Sequence, residues 1–140
     1  MVSSTTTFSV PTRRKNEMID ITGSVCDIVR RHGIKSGICT VSVPHTTAAV
    51  TINENADPDV PRDILVALER IVPREGDYAH SEGNSPAHVK ALLTGSSVTV
   101  AVEAGKIQPG TWQGIFFCEF DGPRNRQVRV TVLGESAASS

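Results

Sequence analysis

Three segments of this 140-residue chain alternate apolar and polar side chains with a period of two residues. Such alternation puts successive side chains on opposite faces of a β-strand, so that one face of each segment can be buried. It predicts a mostly antiparallel sheet with one face turned towards a core. The expected core-facing residues are Cys39, Val41 and Val43 in the first segment, Val98, Val100 and Val102 in the second, and Val128, Val130 and Val132 in the third.

Helical spacing of apolar residues marks three further segments. We predict helices at residues 20–32, 60–72 and 87–93, with Gly33 and Pro73 directly after the first two as helix-ending residues. Strands are predicted at residues 7–10, 37–43, 48–52, 97–102, 111–120 and 126–133, the last two pairing as an antiparallel hairpin. This order of elements predicts an α+β fold with the helices packed on one face of the sheet.

Length and composition limit the class of protein. One domain over residues 1–140 is expected, with its core at about 8–134 and flexible ends at 1–5 and 135–140. The 14 basic residues are balanced by 15 acidic ones, which argues against a nucleic-acid or anionic-membrane surface. Apolar runs are too short to span a membrane. Three cysteines without a CxxC pair indicate a reducing compartment, and we expect the cytoplasm.

The histidines are the first candidates for chemistry. His45 follows a predicted strand, His80 lies in a long polar segment, and His88 begins a short helix. Neutral imidazole is a common transition-metal ligand, and three histidines with an open fourth position form a catalytic type of site. Glu54 and Glu82 can orient a ligand, complete the metal shell or act as a base. The spacing also fits three ordinary loop or capping histidines.

Two other segments offer groups that bind anions or rings. The Gly110-Thr111 pair leads into a predicted strand, where its amides and hydroxyl can hold an anion, and Trp112 can stack on a ring. Arg124 and Arg126 lie at a predicted turn and can donate to phosphate or carboxylate. A tight turn with a buried aromatic residue, and a solvated turn with exposed arginines, also explain these residues. Neither a P-loop nor a Rossmann glycine motif is present.

Five motifs stand in the order of one known family. They are His45-Thr46-Thr47-Ala48, Asn53-Glu54-Asn55-Ala56-Asp57-Pro58-Asp59-Val60, His80-x-Glu82-Gly83-Asn84-x-x-x-His88, Gly110-Thr111-Trp112-Gln113 and Glu119-x-Asp121-Gly122-Pro123-Arg124-x-Arg126. With these motifs the chain resembles the YjbQ family over about residues 8–134, nearly its whole length. Because the five motifs occur in order, the resemblance is much more specific than any single motif.

The resemblance implies a small α+β fold with a large sheet, assembled as a homotrimer. It also implies a weak or secondary thiamine-phosphate synthase activity, which joins a pyrimidine methyl diphosphate to a thiazole phosphate and releases pyrophosphate. The implied ligand is a small phosphorylated or anionic metabolite. A divalent metal ion is implied as cofactor: zinc or another transition metal held by His45, His80 and His88, or magnesium with the diphosphate.

For that chemistry the expected catalytic residues are His45, Glu54, His80, Glu82 and His88. The expected substrate- or anion-binding residues are Thr46, Thr47, Asn84, Gly110, Thr111, Trp112, Gln113, Arg124 and Arg126. Two alternatives stay open: a metal-dependent hydrolase of a small substrate, and a non-enzymatic trimeric protein that binds a metabolite or a metal. All three hypotheses need the same polar residues in one pocket.

Overall fold

A computed structural model describes residues 1–136, and within them the chain forms two antiparallel sheets and three helices. The elements are β1 (Val2–Pro11), β2 (Glu17–Asp20), α1 (Thr22–His32), β3 (Ile34–Ser42), β4 (Ala48–Glu54), α2 (Asp59–Ile71), α3 (Ser85–Thr94), β5 (Ser97–Glu103), β6 (Lys106–Ile107), β7 (Gln113–Glu119) and β8 (Asn125–Ser136). The larger sheet has the order β1-β8-β3-β5-β6, and the smaller one has the order β2-β7-β4. The predicted α+β class is confirmed.

The alternating segments bury the faces that the sequence predicts. Cys39, Val41 and Val43 are all buried, as are Val128 and Val130 in β8. These side chains of the larger sheet pack with one side of α1 and with the inner face of the smaller sheet in a single core cluster. Period-two alternation is therefore sufficient to orient the larger sheet.

The smaller sheet is covered on both faces. In β7, Ile115 and Phe117 point into the main core, whereas Phe116 and Cys118 pack beneath α2 and α3 in a second cluster. The prediction of helices on one face is therefore wrong. The core that contains α1 lies on one side of the smaller sheet, and α2 and α3 lie on its other side, because every residue of β7 after Gln113 is buried.

The predicted hairpin between the last two long strands is also wrong. β7 pairs with β2 and β4, whereas β8 pairs with β1 and β3 in the other sheet. The connection at residues 120–124, which includes a cis peptide bond between Gly122 and Pro123, carries the chain from one sheet to the other. This crossing brings polar residues of both sheets to one place.

The first strand is longer than the sequence predicts. β1 begins at Val2 and pairs with β8 along its whole length, from Val2 opposite Gly134 to Pro11 opposite Asn125. Residues 2–5, expected to be flexible, therefore belong to the sheet, since β8 supplies them with backbone partners. At the other end, residues 135 and 136 continue β8, and residues 137–140 lie outside the described part of the chain.

Candidate functional site

A polar cavity of about 480 Å³ lies beside the connection that carries the chain from the smaller sheet to the larger one. The β3–β4 and β7–β8 connections form two of its walls, and the polar segment before α3 forms the third. Its lining consists of Pro44, His45, Thr46, Thr47, His80, Glu82, Asn84, His88, Asp121, Arg124 and Arg126. Loops held at the ends of strands in this way are common places for ligand sites, because the rigid sheets fix their position.

Arg126, which lines the cavity, belongs to a buried ion pair. Arg126 is 5% exposed and Glu119 is 0% exposed, and the two face each other as a fork. Nε of Arg126 donates to Oε1 of Glu119 at 2.8 Å, and Nη2 donates to Oε2. Nη2 also donates to the hydroxyl of Thr47 at 2.8 Å. Two parallel hydrogen bonds of this kind fix the guanidinium plane as well as its position.

Glu119 is saturated with hydrogen bonds, which explains how a carboxylate can stay charged inside the protein. Besides both bonds from Arg126, it accepts from the Thr12 hydroxyl at 2.7 Å and from the amides of Phe120 and Asp121 at 3.1 and 3.0 Å. Burial by itself would raise the pKa of Glu119, but these bonds, first those from Arg126 and Thr12, hold it below its ordinary value.

One nitrogen of the Arg126 guanidinium has no hydrogen-bond acceptor among the described residues. Its Nε and Nη2 atoms are engaged by Glu119 and Thr47, whereas Nη1 has no hydrogen-bond acceptor among residues 1–136. An arginine held rigidly by two neighbours, with one end of its fork open, can receive an oxygen of a ligand without rearranging.

Asp121 links the second arginine to the loop before α3. Its Oδ2 atom accepts from Nη2 of Arg124 at 3.0 Å and from the side-chain amide of Asn84 at 2.9 Å. Nε of Arg124 donates to the carbonyl of Asp121 at 2.9 Å. Partial burial raises the pKa of Asp121, but the bonds from Asn84 and Arg124 outweigh it and leave the pKa lowered. These bonds hold the Arg124 side chain at the cavity, and its Nη1 atom has no acceptor among residues 1–136.

The side-chain oxygen of Asn84 is a buried acceptor without a hydrogen-bond donor in the described part of the chain. Its Oδ1 atom is buried and has no hydrogen-bond partner among the described residues, whereas its amide nitrogen is committed to Asp121. Buried carbonyl oxygens are normally satisfied, so an orphaned one beside a cavity is suited to a donor group of a ligand or to a water molecule.

The ring of His45 is oriented by the backbone of β8. Its Nε2 atom accepts from the amide of Gln127 at 2.9 Å. Burial lowers the pKa of His45, and the positive charge of Arg126 lowers it further, so the imidazole is neutral at pH 7. Since Nε2 accepts, the proton of the neutral ring sits on Nδ1, and His45 offers one N–H donor.

The other two histidines form a pair. Their ring centroids lie 5.4 Å apart with an interplanar angle of 84°. His80 comes from the exposed segment between α2 and α3, where a turn closed by Gly83 at φ 74° folds it back, and His88 comes from α3. Both histidines line the cavity.

The cavity therefore collects most, but not all, of the predicted site residues. It contains His45, Thr46, Thr47, His80, Glu82, Asn84, His88, Arg124 and Arg126. Glu54, Gly110, Thr111, Trp112 and Gln113 do not line it.

The residues outside the cavity lie at the opposite end of the smaller sheet. Glu54 pairs with Gln113 at one end of the β4–β7 ladder, and Ala48 pairs with Glu119 at the other end. Seven extended residues span about 20 Å, so the two groups of motifs cannot share a ligand within one chain. In this second group, the side chain of Gln113 stabilises its own turn, because it accepts a hydrogen bond from the amide of Gly110 at 2.8 Å.

The geometry does not fit the predicted metal centre. Among the described residues, no group of three or more His, Cys, Asp or Glu side chains is arranged to hold a metal ion. The Nε2 lone pair of His45 is taken by an amide, and coordination through Nδ1 would shift the ring proton to Nε2 and break that bond. A three-histidine metal ion stays a prediction, which elemental analysis of untagged protein would test.

Three functional residues escape sequence reasoning. Glu119 and Asp121 stand in the last of the five motifs, yet their role as partners of the arginines becomes visible only in the structure. Thr12, far away in sequence, donates to Glu119 and lies in no motif. Charge alternation at residues 119–126 is the only sequence signal for the ion pairs.

Fold and site together define a class: a small α+β protein in which two antiparallel sheets meet beside a cavity lined by arginine, histidine and threonine. Residues 6–135 match the family described as UPF0047 protein YjbQ-like. The chain belongs to this family, as its five motifs predict.

Relatives and solved structures agree with this assignment. YugU of Bacillus subtilis is 47% identical over 129 residues, which cover 91% of this chain and 98% of YugU. A UPF0047 protein of Methanocaldococcus jannaschii is 45% identical, with 91% and 93% covered. A crystal structure from Clostridium acetobutylicum is 53% identical with a TM-score of 0.90, covering 91% and 99%. One from Sulfolobus solfataricus is 37% identical with a TM-score of 0.92, covering 96% and 99%.

These comparisons correct the expected function. The two relatives carry only the family designation UPF0047, and the two structures are described as an uncharacterized conserved protein and a protein of unknown function. The expected thiamine-phosphate synthase activity is therefore corrected, because the descriptions of these relatives and structures name no such activity. The expected role of Glu82 as a base stays a prediction, and Glu82 lines the cavity, whereas Trp112 does not.

None of the helices in residues 1–136 is long and apolar enough to cross a membrane.

Proposed function

We propose that the chain binds a small anionic metabolite in the cavity between the two sheets. The observation that carries this proposal is the buried Arg126, held rigid by Glu119 and Thr47, with Nη1 left for a ligand. A fixed guanidinium in a cavity is an oxyanion receptor, and phosphate and carboxylate groups match its geometry.

Several other donors line the same cavity. Nη1 of Arg124, the hydroxyl of Thr46 and the Nδ1–H group of His45 have no acceptor among residues 1–136 and can donate to a ligand. Two of the nearby carboxylates, Glu119 and Asp121, are already paired with their own arginines and hydrogen bonds. The third, Glu82, lines the cavity and can accept a hydrogen bond from the ligand. The anionic group of the ligand is therefore expected beside the arginines, away from Glu82.

The ligand also carries a hydrogen-bond donor in this proposal. The orphaned Oδ1 atom of Asn84 needs a donor, and Asn84 lines the cavity. A hydroxyl or amino group a few bonds from the anionic group satisfies it. His80 and His88 line the same cavity.

Binding of inorganic phosphate, measured by isothermal titration calorimetry, tests the proposal. Arg124 is the better target, because replacing the buried Arg126 would leave Glu119 charged and unpaired. We expect Arg124→Gln to weaken phosphate binding about threefold to tenfold, the loss of one partly exposed charged hydrogen bond. Arg62→Gln is the matched control, since Arg62 is an exposed arginine on α2 that lies outside the cavity.

The proposal fails if phosphate does not bind the wild-type protein, or if the Arg124 and Arg62 variants lose the same affinity. Titration before and after treatment with a chelator separates direct binding from binding through a metal ion. Equal affinity in both cases supports recognition by the arginines themselves.

We further propose that the protein is a homotrimer in the cytoplasm. The free edge of β1 is ten residues long, and subunit association is one way to protect such an edge. Cys26, Cys39 and Cys118 are all free, which fits a reducing compartment.

A further inference from the structure

A second depression adjoins the polar cavity. It has a volume of about 330 Å³ and is lined by His45, Thr46, Ala48, His88, Ala91, Leu92, Gly95 and Ser96. Three of these residues, His45, Thr46 and His88, line the polar cavity as well. The two spaces therefore adjoin each other at these three residues, and we call the second one the side groove.

The floor of the side groove is built from small residues. Ala91 on α3 and Ala48 at the start of β4 both line it, and Gly95 follows α3 without a side chain. Ala48 is 1% exposed and its side chain packs in the main core cluster, so it does not narrow the groove. Small residues therefore line the groove beside α3.

One wall of the groove is an exposed leucine. Leu92 lies four residues after His88 on α3, so the two share one helix face, about 6 Å apart along the axis. Leu92 is 80% exposed, so its side chain is available to an apolar group of a ligand. An apolar wall thus begins one helical turn away from the polar cavity.

We propose that the side groove holds the apolar part of the same ligand whose anionic group binds in the polar cavity. The ligand class is then a short phosphate or carboxylate ester, or a related amphiphile, with three to four carbon atoms beyond its anionic group. Because His45, Thr46 and His88 line both spaces, a ligand bound beside these residues contacts the two together, which favours one occupant over two separate molecules. This inference rests on the proposed function, because it needs an anion in the polar cavity.

The test compares two phosphate monoesters of equal charge. Methyl phosphate reaches only the polar cavity, whereas n-butyl phosphate adds three methylene groups that reach Leu92. Full burial of one methylene strengthens binding about fourfold. Since the groove is open on one side, we expect butyl phosphate to bind about tenfold more tightly than methyl phosphate in calorimetric titrations.

Two leucine variants locate the effect. Leu92→Ser is expected to reduce the butyl-to-methyl preference to about threefold or less, while the affinity for methyl phosphate stays unchanged. Leu93→Ser is the matched control, because Leu93 is the next residue on α3, is 56% exposed and does not line the groove. The control should keep the wild-type preference.

The possible failures are distinguishable. If neither ester binds, the proposed anion site is wrong and this inference falls with it. If both esters bind equally well, the anion site stands and the groove does not take the ligand. If Leu92→Ser lowers the assembly mass in light scattering and leaves the preference unchanged, the groove contacts a second copy of the chain, which also overturns the inference.

Discussion

The pair of Glu119 and Arg126 is the residue-scale centre of the structure. A buried ion pair is costly to desolvate and is kept only where hydrogen bonds satisfy both partners. Here five hydrogen bonds converge on the carboxylate from four residues. Glu119 stands at the end of the smaller sheet, and Arg126 at the start of β8 in the larger one. The pair therefore joins the two sheets and fixes the arginine that faces the cavity.

We expect Glu119→Gln to destabilise the protein by about 3 kcal/mol or more, because it leaves Arg126 buried without a counter-charge. Urea denaturation at pH 7 measures this change. The matched control is Asp27→Asn, which removes the exposed pair between Asp27 and Arg30. Exposed pairs of this kind contribute about 0.5 kcal/mol or less. Equal losses in the two variants would contradict the account.

Stability should also depend on pH in a direction that the lowered pKa values of three carboxylates fix. Glu69, Glu119 and Asp121 have pKa values below their ordinary ones in the folded chain, so the unfolded chain takes up protons first as the pH falls. The contribution of these carboxylates to the free energy of unfolding is therefore largest above about pH 5 and decreases between roughly pH 5 and pH 3.

Urea denaturation at several pH values checks this dependence. The Glu119→Gln variant lacks one of the three carboxylates and should show a shallower decrease over the same range. Curves of equal slope for the variant and the wild type would show that Glu119 is not the group responsible.

At the residue scale, the sequence predicted which residues belong to the candidate site better than it predicted which residues contact each other. The motif containing His80, Asn84 and His88 pointed to residues that do lie in one cavity. The acidic stretch around Glu54 and the Gly110–Gln113 turn looked equally functional but lie at the far end of β4 and β7. Chain order alone does not reveal this separation, because it depends on which way each strand runs.

At the scale of elements, the two faces of β7 explain where the sequence prediction failed. Residues 115–118 are Ile-Phe-Phe-Cys, a continuous apolar run, which is typical of a strand covered on both faces. We expected a hairpin with the next strand, because neighbours in sequence usually pair. The ion pair across the sheets and the pairing of β8 with β1 and β3 override that tendency.

The contact between β3 and β8 depends on two facing glycines. Gly37 pairs with Gly134, and a Cβ atom on Gly37 would lie 2.1 Å from the carbonyl oxygen of Leu133. Gly37→Ala is therefore expected to destabilise the protein by about 1–3 kcal/mol, because the two strands must move apart.

Gly23→Ala is the control, and its expected effect on stability is opposite to that of Gly37→Ala. Gly23 lies in α1, and a Cβ atom there would meet nothing within 4 Å. Alanine in that helix is expected to stabilise the protein by up to about 1 kcal/mol. Thermal unfolding followed by circular dichroism measures both variants. A Gly37→Ala variant as stable as the wild type would show that β3 and β8 are less closely packed than described.

At the scale of the whole molecule, sheet edges favour assembly. β1 and β6 bound the larger sheet, and β2 and β4 bound the smaller one. The predicted single domain and α+β class follow from length and pattern, but a sequence does not show which edges another subunit covers.

The homotrimer predicts a mass of about 45 kDa in solution, three times the 15.0 kDa of one chain. Size-exclusion chromatography with multi-angle light scattering at micromolar concentration measures it. A species of about 15 kDa would exclude stable assembly, and the anion site would then have to work within a single chain.

The most direct test of the central claim is to locate an anion in a crystal. Arsenate has the shape and charge of phosphate, and its arsenic atom can be identified by anomalous scattering. We predict an arsenate in the cavity, with an oxygen about 2.7–3.2 Å from Nη1 of Arg126. The absence of arsenic there at saturating concentration, or a peak only at the Gly110–Gln113 turn, would contradict the account.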